Sequence, residues 1–214
     1  MTAQINLGLI GCGRIARLVH LASINKLNGV KLTAVSDTDR ECANAAVAGA
    51  PGAKVYADYS ELLRGGDVDA VVICLPTFLH AVAAAEAFEN GKHVYLEKPL
   101  AQNSKEAARV IDAWRKSGKT GMAGLNLRFN PIYVSLKNKI ETGMAGDINS
   151  VRTVFTSSSR SLPDWKRSRA TGGGVLLDLA SHHADLVRYI FNSEIAEVRA
   201  SIESRESEHD NAFI

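Results

Sequence analysis

The sequence predicts an α/β protein with a parallel sheet in its first part and a smaller α+β domain after it. Two observations support this fold class. Short apolar segments alternate with helical segments up to about residue 120. Several strands are apolar along their whole length, as expected where helices cover both faces of a parallel sheet. The alternation ends near residue 124, so we expect domains at 1–124 and 125–214.

The elements of the first domain follow from hydrophobic pattern and turn residues. Strands are predicted at 5–10, 30–35, 54–56, 70–74 and 93–96. Helices are predicted at 15–27, 39–48, 78–90 and 104–117. Asn103 can cap the last helix, with Glu106 three residues further on, and Gly118 ends it.

The second domain is predicted to contain both helices and strands. A helix follows Pro131, a strand is expected at 151–157, and a long polar loop at 158–171. An apolar helix follows the three glycines at 172–174, and a strand is expected at 195–201. Residues 211–214 resemble the start of one more strand, so we expect a truncated domain.

Composition excludes several classes of partner. The chain of 214 residues is 46% hydrophobic and 22% charged, and its net charge is +2 with cations spread along the sequence. This balance argues against nucleic-acid and membrane partners, and no apolar segment is long enough to cross a bilayer. The three cysteines, Cys12, Cys42 and Cys74, form no metal-ligand or disulfide pattern, so we expect no metal and a cytoplasmic location.

A glycine-rich turn follows the first strand and opens a helix. Gly11, Gly13 and Ala16 form the G-x-G-x-x-A version of the dinucleotide-binding (Rossmann) fingerprint. Gly11 permits the tight turn, Gly13 lets a pyrophosphate approach, and Ala16 lets the helix pack closely. With Arg14 and Ile15, these residues are expected to bind the cofactor.

Asp37 ends the second strand at the position where an acidic residue holds the adenosine ribose. Its charge would repel the 2′-phosphate of NADP, so the sequence favours NAD. Arg40 lies nearby and would partly offset this repulsion. A glycine-rich turn with a surface aspartate, binding no cofactor, is the structural alternative.

Two loops follow the fourth and fifth strands at the edge where ligands bind open parallel sheets. Residues of both are expected to bind the cofactor: Leu75, Pro76, Thr77, His80, Glu97 and Lys98. Pro99 restricts Lys98 toward an extended backbone. An ammonium there would favour the alkoxide of a substrate hydroxyl, while a surface lysine before a turn is equally compatible with the sequence.

The apolar helix after the glycines carries an unusual polar stripe. At about 3.6 residues per turn, Asp178, His182 and Asp185 fall on one stripe, while His183 falls with the leucines and is expected to pack. A solvated helix face is the alternative interpretation of this stripe.

Together these motifs resemble a known family. The glycine turn, the Glu97–Lys98–Pro99 tripeptide and the stretch from Gly172 to Asp185 are similar to glucose–fructose oxidoreductase, inositol 2-dehydrogenase and rhizopine-catabolism proteins, called Gfo/Idh/MocA. Residues 126–131, 146–148 and 165–167 extend the resemblance over the whole chain. Ala180 stands where members often have glycine, and members continue through more strands.

The resemblance implies a Rossmann domain followed by an α+β domain with a predominantly antiparallel open sheet, incomplete here. It implies an NAD-dependent oxidoreductase that transfers a hydride to or from a secondary alcohol of a sugar, inositol-like polyol or sugar derivative. His182 would be the general base, Asp178 would orient it, and Lys98 would polarise the hydroxyl. The implied substrate-binding residues are Lys98, Asn126, Arg128, Trp165, Asp178, His182 and Asp185.

The resemblance leaves two other functions open. Some relatives hold NAD tightly and hydrolyse glycosidic bonds, and others bind the dinucleotide as regulators. The basic loop at 158–171 could bind an anionic group on a sugar or could be solvated. A homo-oligomer is implied for full-length members.

Overall fold

The computed structural model describes residues 4–155 and 162–214. The chain divides into two compact units: unit 1 runs to Gly124, and unit 2 begins at Leu125. Residues 156–161 fall within the predicted strand at 151–157 and the predicted loop at 158–171, so those parts of both predictions lie outside the described residues.

Unit 1 is built on a six-stranded parallel sheet with the strand order β3-β2-β1-β4-β5-β6. This order reverses between β1 and β4, which is the point where doubly wound sheets bind ligands. The predicted fold class is confirmed. The strands are β1 Ile5–Ile10, β2 Val30–Ser36, β3 Lys54–Tyr56, β4 Ala70–Ile73, β5 His93–Leu96 and β6 Gly121–Ala123.

Five helices of unit 1 follow the strands. They are α1 Leu21–Ile24, preceded by a π-helical turn at Ala16–His20, then α2 Arg40–Val47, α3 Tyr59–Gly65, α4 Thr77–Glu89 and α5 Ser104–Ser117. The predicted cap of α5 is confirmed, because Asn103 Oδ1 accepts from the backbone N–H of Glu106 at 3.0 Å. Gly118 ends α5 in the left-handed region at φ +64°.

Sequence inspection missed α3 and β6. The signal for α3 was present, since Asp58 precedes a leucine pair and accepts from the backbone N–H of Ser60 at 2.9 Å. The β6 strand has three residues, Gly121, Met122 and Ala123, and none of them is β-branched. It forms a strand because β5 offers its backbone groups as a partner.

Apolar side chains fill both faces of the sheet. On one face, Ile10 and Ile73 pack in a cluster with residues of α3, α4 and α5. On the other face, Leu9 and Val35 pack in a second cluster with residues of the first helical segment and α2. Neighbouring residues of β1 thus enter opposite clusters, as the two-residue repeat of a strand requires.

Unit 2 contains three helices and a two-stranded antiparallel sheet among its described residues. The helices are α6 Pro131–Glu141, α7 Asp164–Arg167 and α8 Ser181–Phe191, and a π-helical turn at Leu176–Ala180 precedes α8. The strands are β7 Ser201–Glu203 and β8 Asn211–Phe213. Asn130 caps α6, accepting from the backbone N–H of Ile132 at 2.9 Å.

Two strands predicted for unit 2 are corrected. Residues 151–155 and 195–200 are exposed and belong to no strand in the structure, and β7 starts where the second prediction ended. Residues 151–155 include three β-branched side chains, and residues 195–200 include two. A strand also needs a neighbour that accepts and donates its backbone hydrogen bonds, and the described residues pair only β7 with β8 in this unit.

Within the described ranges, no helix has the length and apolar character needed to span a membrane. No cluster of three or more histidine, cysteine or acidic side chains that could hold a metal ion occurs among those same residues. Cys12, Cys42 and Cys74 are all free.

Candidate active site

The glycine turn lies against the neighbouring strand at the point where the strand order reverses. Gly11 has φ +84°, and a Cβ at this position would lie 2.7 Å from the carbonyl oxygen of Cys74, just after β4. A glycine is therefore required both for the backbone conformation and for the close approach. The turn is fixed at the carboxyl edge of β1 and β4.

The space above the turn is open at the second glycine. A Cβ placed on Gly13 would meet no atom within 4 Å. Ala16 is fully buried and begins the π-helical turn, while Arg14 and Ile15 just before it are exposed. A backbone without a side chain, facing open space at a helix start, fits the pyrophosphate of a dinucleotide.

Asp37 joins the turn to the end of β2. Its Oδ2 accepts from the backbone N–H of Cys12 at 2.7 Å, and its Oδ1 accepts from the backbone N–H of Asp39 at 2.9 Å. A carboxylate has about four lone-pair positions, so both oxygens retain capacity for ribose hydroxyls. Arg40 starts α2 and is exposed. These residues fit an NAD-type adenosine ribose.

His80 does not have the open environment expected of a residue that contacts the cofactor. The ring is 1% exposed, with Nδ1 2.6 Å from the carbonyl oxygen of Pro99 and Nε2 2.8 Å from that of Leu75. Both ring nitrogens are thus directed at backbone oxygens, which leaves neither for a cofactor. His80 thus ties the loop after β4 to the loop after β5, and a cofactor contact at His80 stays a prediction. Burial lowers the pKa of this imidazole.

The rest of the loop after β4 stays at the sheet edge. Leu75 and Pro76 are half-buried, and Thr77 is buried at the first turn of α4. This loop lies beside the Gly11 turn, since a side chain at Gly11 would contact the backbone of Cys74 and Leu75.

Glu97 and Lys98 follow β5 at the same edge. Glu97 Oε1 is 2.7 Å from His20 Nε2, and Glu97 Oε2 accepts from the backbone N–H of Lys98 at 3.2 Å. Lys98 itself is half-buried. Sequence reasoning missed His20, because no local pattern relates it to a residue 77 positions later.

In unit 2, a glycine packs against the backbone of the residues that precede the helical segment carrying the polar stripe. The N–H of Gly173 donates to the carbonyl oxygen of Ser168 at 2.9 Å, and a Cβ on Gly173 would collide with the carbonyl of Lys166. This packing brings α7 close to the following helical segment. It explains why a glycine is needed at Gly173 independently of any ligand.

Asp178 is ion-paired with a lysine that the sequence placed in a polar loop. Lys166 Nζ lies 3.0 Å from each carboxylate oxygen of Asp178, and the two side chains are 28% and 30% exposed. The same ammonium lies 5.3 Å from the centre of the Trp165 ring. Trp165 is half-buried. Lys166 thus neutralises the carboxylate predicted to act beside His182.

The polar stripe on this helix is divided. The backbone N–H of Ser181 bonds to the carbonyl of Leu176, five residues earlier, which marks a π-helical turn. The extra residue changes the angular spacing, so the 3.6-residue repeat does not hold from Asp178 to Asp185. His182 is half-buried, whereas Asp185 is 7% exposed. Asp185 therefore does not share the environment predicted from the regular spacing.

Asp185 binds Arg128, another residue predicted to contact substrate. Arg128 Nε lies 3.0 Å and 2.9 Å from the two carboxylate oxygens, and its Nη2 bonds to Oδ1 as well. This bond raises the pKa of Arg128. The guanidinium also lies 5.5 Å from the centre of the Tyr189 ring. The pair links the short helical turn Asn126–Phe129 to α8, and Asn126 is exposed.

His183 makes the packing contacts expected for it. Its Nδ1 is 2.5 Å from Thr153 Oγ1, and its ring meets Phe155 edge to face with centroids 5.9 Å apart. The two adjacent histidines thus have different surroundings.

Two family models together match most of the chain. A model described as an oxidoreductase family with an NAD-binding Rossmann fold matches residues 5–125. A model described as the GFO/IDH/MocA C-terminal domain matches residues 133–214.

Curated relatives are similar over most of this chain. An uncharacterized oxidoreductase, YrbE of Bacillus subtilis, is 36% identical and matches 94% of this chain and 58% of its own length. A myo-inositol 2-dehydrogenase of Thermotoga maritima is 31% identical and matches 92% of this chain and 58% of its own length. The chain therefore spans about 58% of the length of these relatives.

Solved structures agree in fold. GenD2 from gentamicin A biosynthesis, crystallised with NAD, has a TM-score of 0.90 at 28% identity. The match covers 98% of this chain and 60% of GenD2. The WlbA dehydrogenase of Bordetella pertussis, crystallised with NADH and UDP-GlcNAcA, has a TM-score of 0.85 at 28% identity. That match covers 98% of this chain and 62% of WlbA.

Proposed function

The chain belongs to the Gfo/Idh/MocA family of oxidoreductases, and from this premise we propose that the protein is an NAD-dependent dehydrogenase. Its substrate is proposed to be a secondary alcohol of a sugar, a polyol or a sugar derivative. The observation that carries the proposal is the turn at Gly11 and Gly13, open to a pyrophosphate and tied to Asp37, with Lys98 at the same sheet edge. The relatives named inositol dehydrogenases support a carbohydrate-like substrate.

The cofactor role rests on residues of unit 1. When bound, NAD supplies the carbon that accepts or donates the hydride. Gly13 leaves room for the pyrophosphate, and Asp37 accepts hydrogen bonds from the ribose. The carboxylate of Asp37 disfavours the 2′-phosphate of NADP, so NAD is the proposed cofactor.

The proposed role of Lys98 is electrostatic. Its backbone is fixed by Glu97, and its ammonium polarises the substrate hydroxyl and favours the alkoxide. Glu97 provides the anchoring carboxylate at the end of β5.

The proposed roles in unit 2 concern the proton. His182 accepts the proton of the hydroxyl during oxidation and returns it during reduction. Asp178 acts beside it, with Lys166 ion-paired to its carboxylate. Asn126 and Trp165 are proposed to contact substrate. Arg128 and Asp185 are proposed to contribute through their pairing, which fixes α8.

The decisive experiment compares the two adjacent histidines. NADH formation is followed at 340 nm with NAD and a panel of inositols, sugars and sugar acids. We expect His182→Ala to lower turnover by about 10²–10⁴-fold, the usual contribution of a general base. Affinity for NAD should remain, because unit 1 is unchanged. His183→Ala is the matched control, since this ring packs on Thr153 and Phe155.

Equal loss of turnover in both histidine variants would contradict the assignment of His182. Hydrolysis of a glycoside without net NADH would replace the dehydrogenase function by a hydrolytic one. If NAD still binds but no compound of the panel is oxidised, the proposed cofactor role of unit 1 would stand and the proposed substrate class would be wrong.

The cofactor preference is tested separately. We expect Asp37→Asn to shift the ratio of NADPH to NADH affinity by about tenfold toward NADPH, which is about 1.4 kcal/mol. Asp39→Asn is the control, because this neighbouring carboxylate caps α2 instead. An unchanged ratio in Asp37→Asn would rule out Asp37 as the selective group.

We also propose a cytoplasmic location, which the three free cysteines support.

We further propose that the protein self-associates, which the exposed apolar side chains of β8 and of residues 151–155 support.

A further inference from the structure

The residue before Lys98 is held by a histidine from a distant part of the chain. His20 Nε2 faces Glu97 Oε1 at 2.7 Å, so it donates to a carboxylate. The second oxygen of Glu97 accepts from the backbone N–H of Lys98. A single carboxylate therefore connects an imidazole to the backbone of the lysine.

This imidazole belongs to the helical segment that starts at the glycine turn. His20 is the last residue of the π-helical turn that Ala16 begins. A π-turn holds an additional residue, which changes the direction of the side chains that follow it. Ala16 is fully buried in the cluster with Leu9 and Val35. The segment is thus anchored to the sheet at one end and to Glu97 at the other.

The contact lies in a closely packed, shielded place. The side chains of His20 and Glu97 are 12% and 17% exposed. The Tyr95 ring meets the His20 ring edge to face, with centroids 5.2 Å apart. Burial and the Glu97 carboxylate raise the pKa of Tyr95 to about 12. Charge-assisted hydrogen bonds are stronger where water is excluded.

The opposite side of the carboxylate is closed by backbone. A Cβ on Gly124 would lie 2.8 Å from the Tyr95 hydroxyl and 3.3 Å from Glu97 Oε2. Gly124 is itself fixed, since its N–H donates to the carbonyl of Leu96 at 2.7 Å. Glu97 is therefore confined between His20 and Gly124.

We propose that His20 is a positioning residue that acts through Glu97 to fix Lys98 relative to the glycine turn. The proposal rests on the proposed function, in which Lys98 polarises the substrate hydroxyl. It adds a physical link between the segment that follows the cofactor turn and the lysine at the end of β5.

The first test measures Lys98 directly and needs no substrate. Acetylation of Lys98 by acetic anhydride is timed by peptide mass spectrometry, with the exposed Lys105 and Lys116 as internal references. We expect His20→Leu to raise the Lys98 rate about threefold or more, since a released loop exposes a half-buried amine. His20→Gln, which keeps an N–H donor at similar reach, should restore the wild-type rate.

His93→Leu is the matched control. This histidine lies at the amino end of β5 and accepts from the backbone N–H of Thr120 at 3.0 Å. The substitution His93→Leu therefore removes a half-buried imidazole from β5, the strand that Glu97 follows, and leaves Glu97 unchanged. The Lys98 rate in His93→Leu should equal that of the wild type.

The second test separates positioning from folding. With a substrate found on the panel, kcat of His20→Leu should fall about tenfold, or about 1.4 kcal/mol of activation free energy. The Kd for NAD, from protein fluorescence, should stay within about threefold, and Tm should match His93→Leu. His20→Gln should recover most of kcat.

Unchanged Lys98 labelling in His20→Leu would overturn the proposal, as would a kcat loss that His20→Gln does not recover. If His20→Leu fails to fold, Glu97→Ala removes both acceptor oxygens and gives the same test through the other partner, and a wild-type labelling rate there overturns the proposal. If the wild type oxidises nothing on the panel, the proposed function fails while the labelling result still decides the role of His20.

Discussion

The two units differ in what holds them together. Unit 1 contains both apolar clusters, with side chains such as Leu9 and Ile73 completely buried on the two faces of its sheet. In the described part of unit 2, the buried apolar side chains are Leu186 and Ile190. There, charged contacts such as Arg128–Asp185 and Lys166–Asp178 connect the elements instead.

This difference has consequences for the residues proposed to act in each unit. The glycine turn and Lys98 are supported by a packed sheet, whose interior resists displacement. Asp178 and His182 lie on a helical segment whose neighbours are held largely by ion pairs, which are weaker and more sensitive to salt. We therefore expect unit 1 to be the more stable unit and unit 2 to respond to single charge changes.

The largest expected effect comes from removing a core leucine in each unit. Leu9→Ala should lower the free energy of unfolding of unit 1 by about 3 kcal/mol or more, because it leaves a cavity in a packed cluster. Leu186→Ala, at 6% exposure outside both clusters, should lower that of unit 2 by roughly half as much.

The two tryptophans allow these effects to be assigned to a unit. Trp114 lies in α5 of unit 1, and Trp165 lies in α7 of unit 2. Urea unfolding is followed by fluorescence in Trp165→Phe and in Trp114→Phe backgrounds. Equal losses from Leu9→Ala and Leu186→Ala would contradict the contrast between the units.

A smaller effect is expected from the buried carboxylate of unit 2. Asp185→Asn should lower the free energy of unfolding reported by Trp165 by about 2 kcal/mol, because a charged hydrogen-bonded pair is broken. Glu141→Gln breaks the exposed Lys137–Glu141 pair on α6 and should change it by less than about 0.5 kcal/mol. The same small change in both variants would mean that Arg128–Asp185 does not hold α8.

The smallest expected effect is a pH dependence in unit 1. Burial lowers the pKa of His80 below its unfolded value of about 6.5. The unfolded chain therefore binds the proton more readily, so the neutral ring stabilises the fold above that pH and the contribution is lost as pH falls below it.

The measurement is urea unfolding of unit 1, reported by Trp114, from pH 7 down to pH 5. His80→Gln should show a weaker loss of stability over this range than the wild type. Parallel curves for the two proteins would exclude His80 as a source of pH dependence.

Local chemistry explains which predictions succeeded. The order of β1, glycine turn and helix, and the cap at Asn103, depend on residues within a few positions of one another. The strand predictions at 151–157 and 195–201 failed over their described residues, apart from Ser201, because a strand requires a partner that local composition does not specify. The regular spacing from which the direction of Asp185 was inferred does not hold, because the π-helical turn at 176–180 inserts an extra residue before it.

The sequence by itself determined the fold class, the turn at Gly11 and Gly13, and the acidic residue at the end of β2, because periodicity and glycine conformation are local properties. Tertiary structure decided the contacts between distant residues: His20 with Glu97, His80 with Pro99, and Arg128 with Asp185. These pairs depend on which strand ends the topology brings together and on the exact rotation of each helix. Neither the strand topology nor the helix rotation is encoded in the residues that flank each partner.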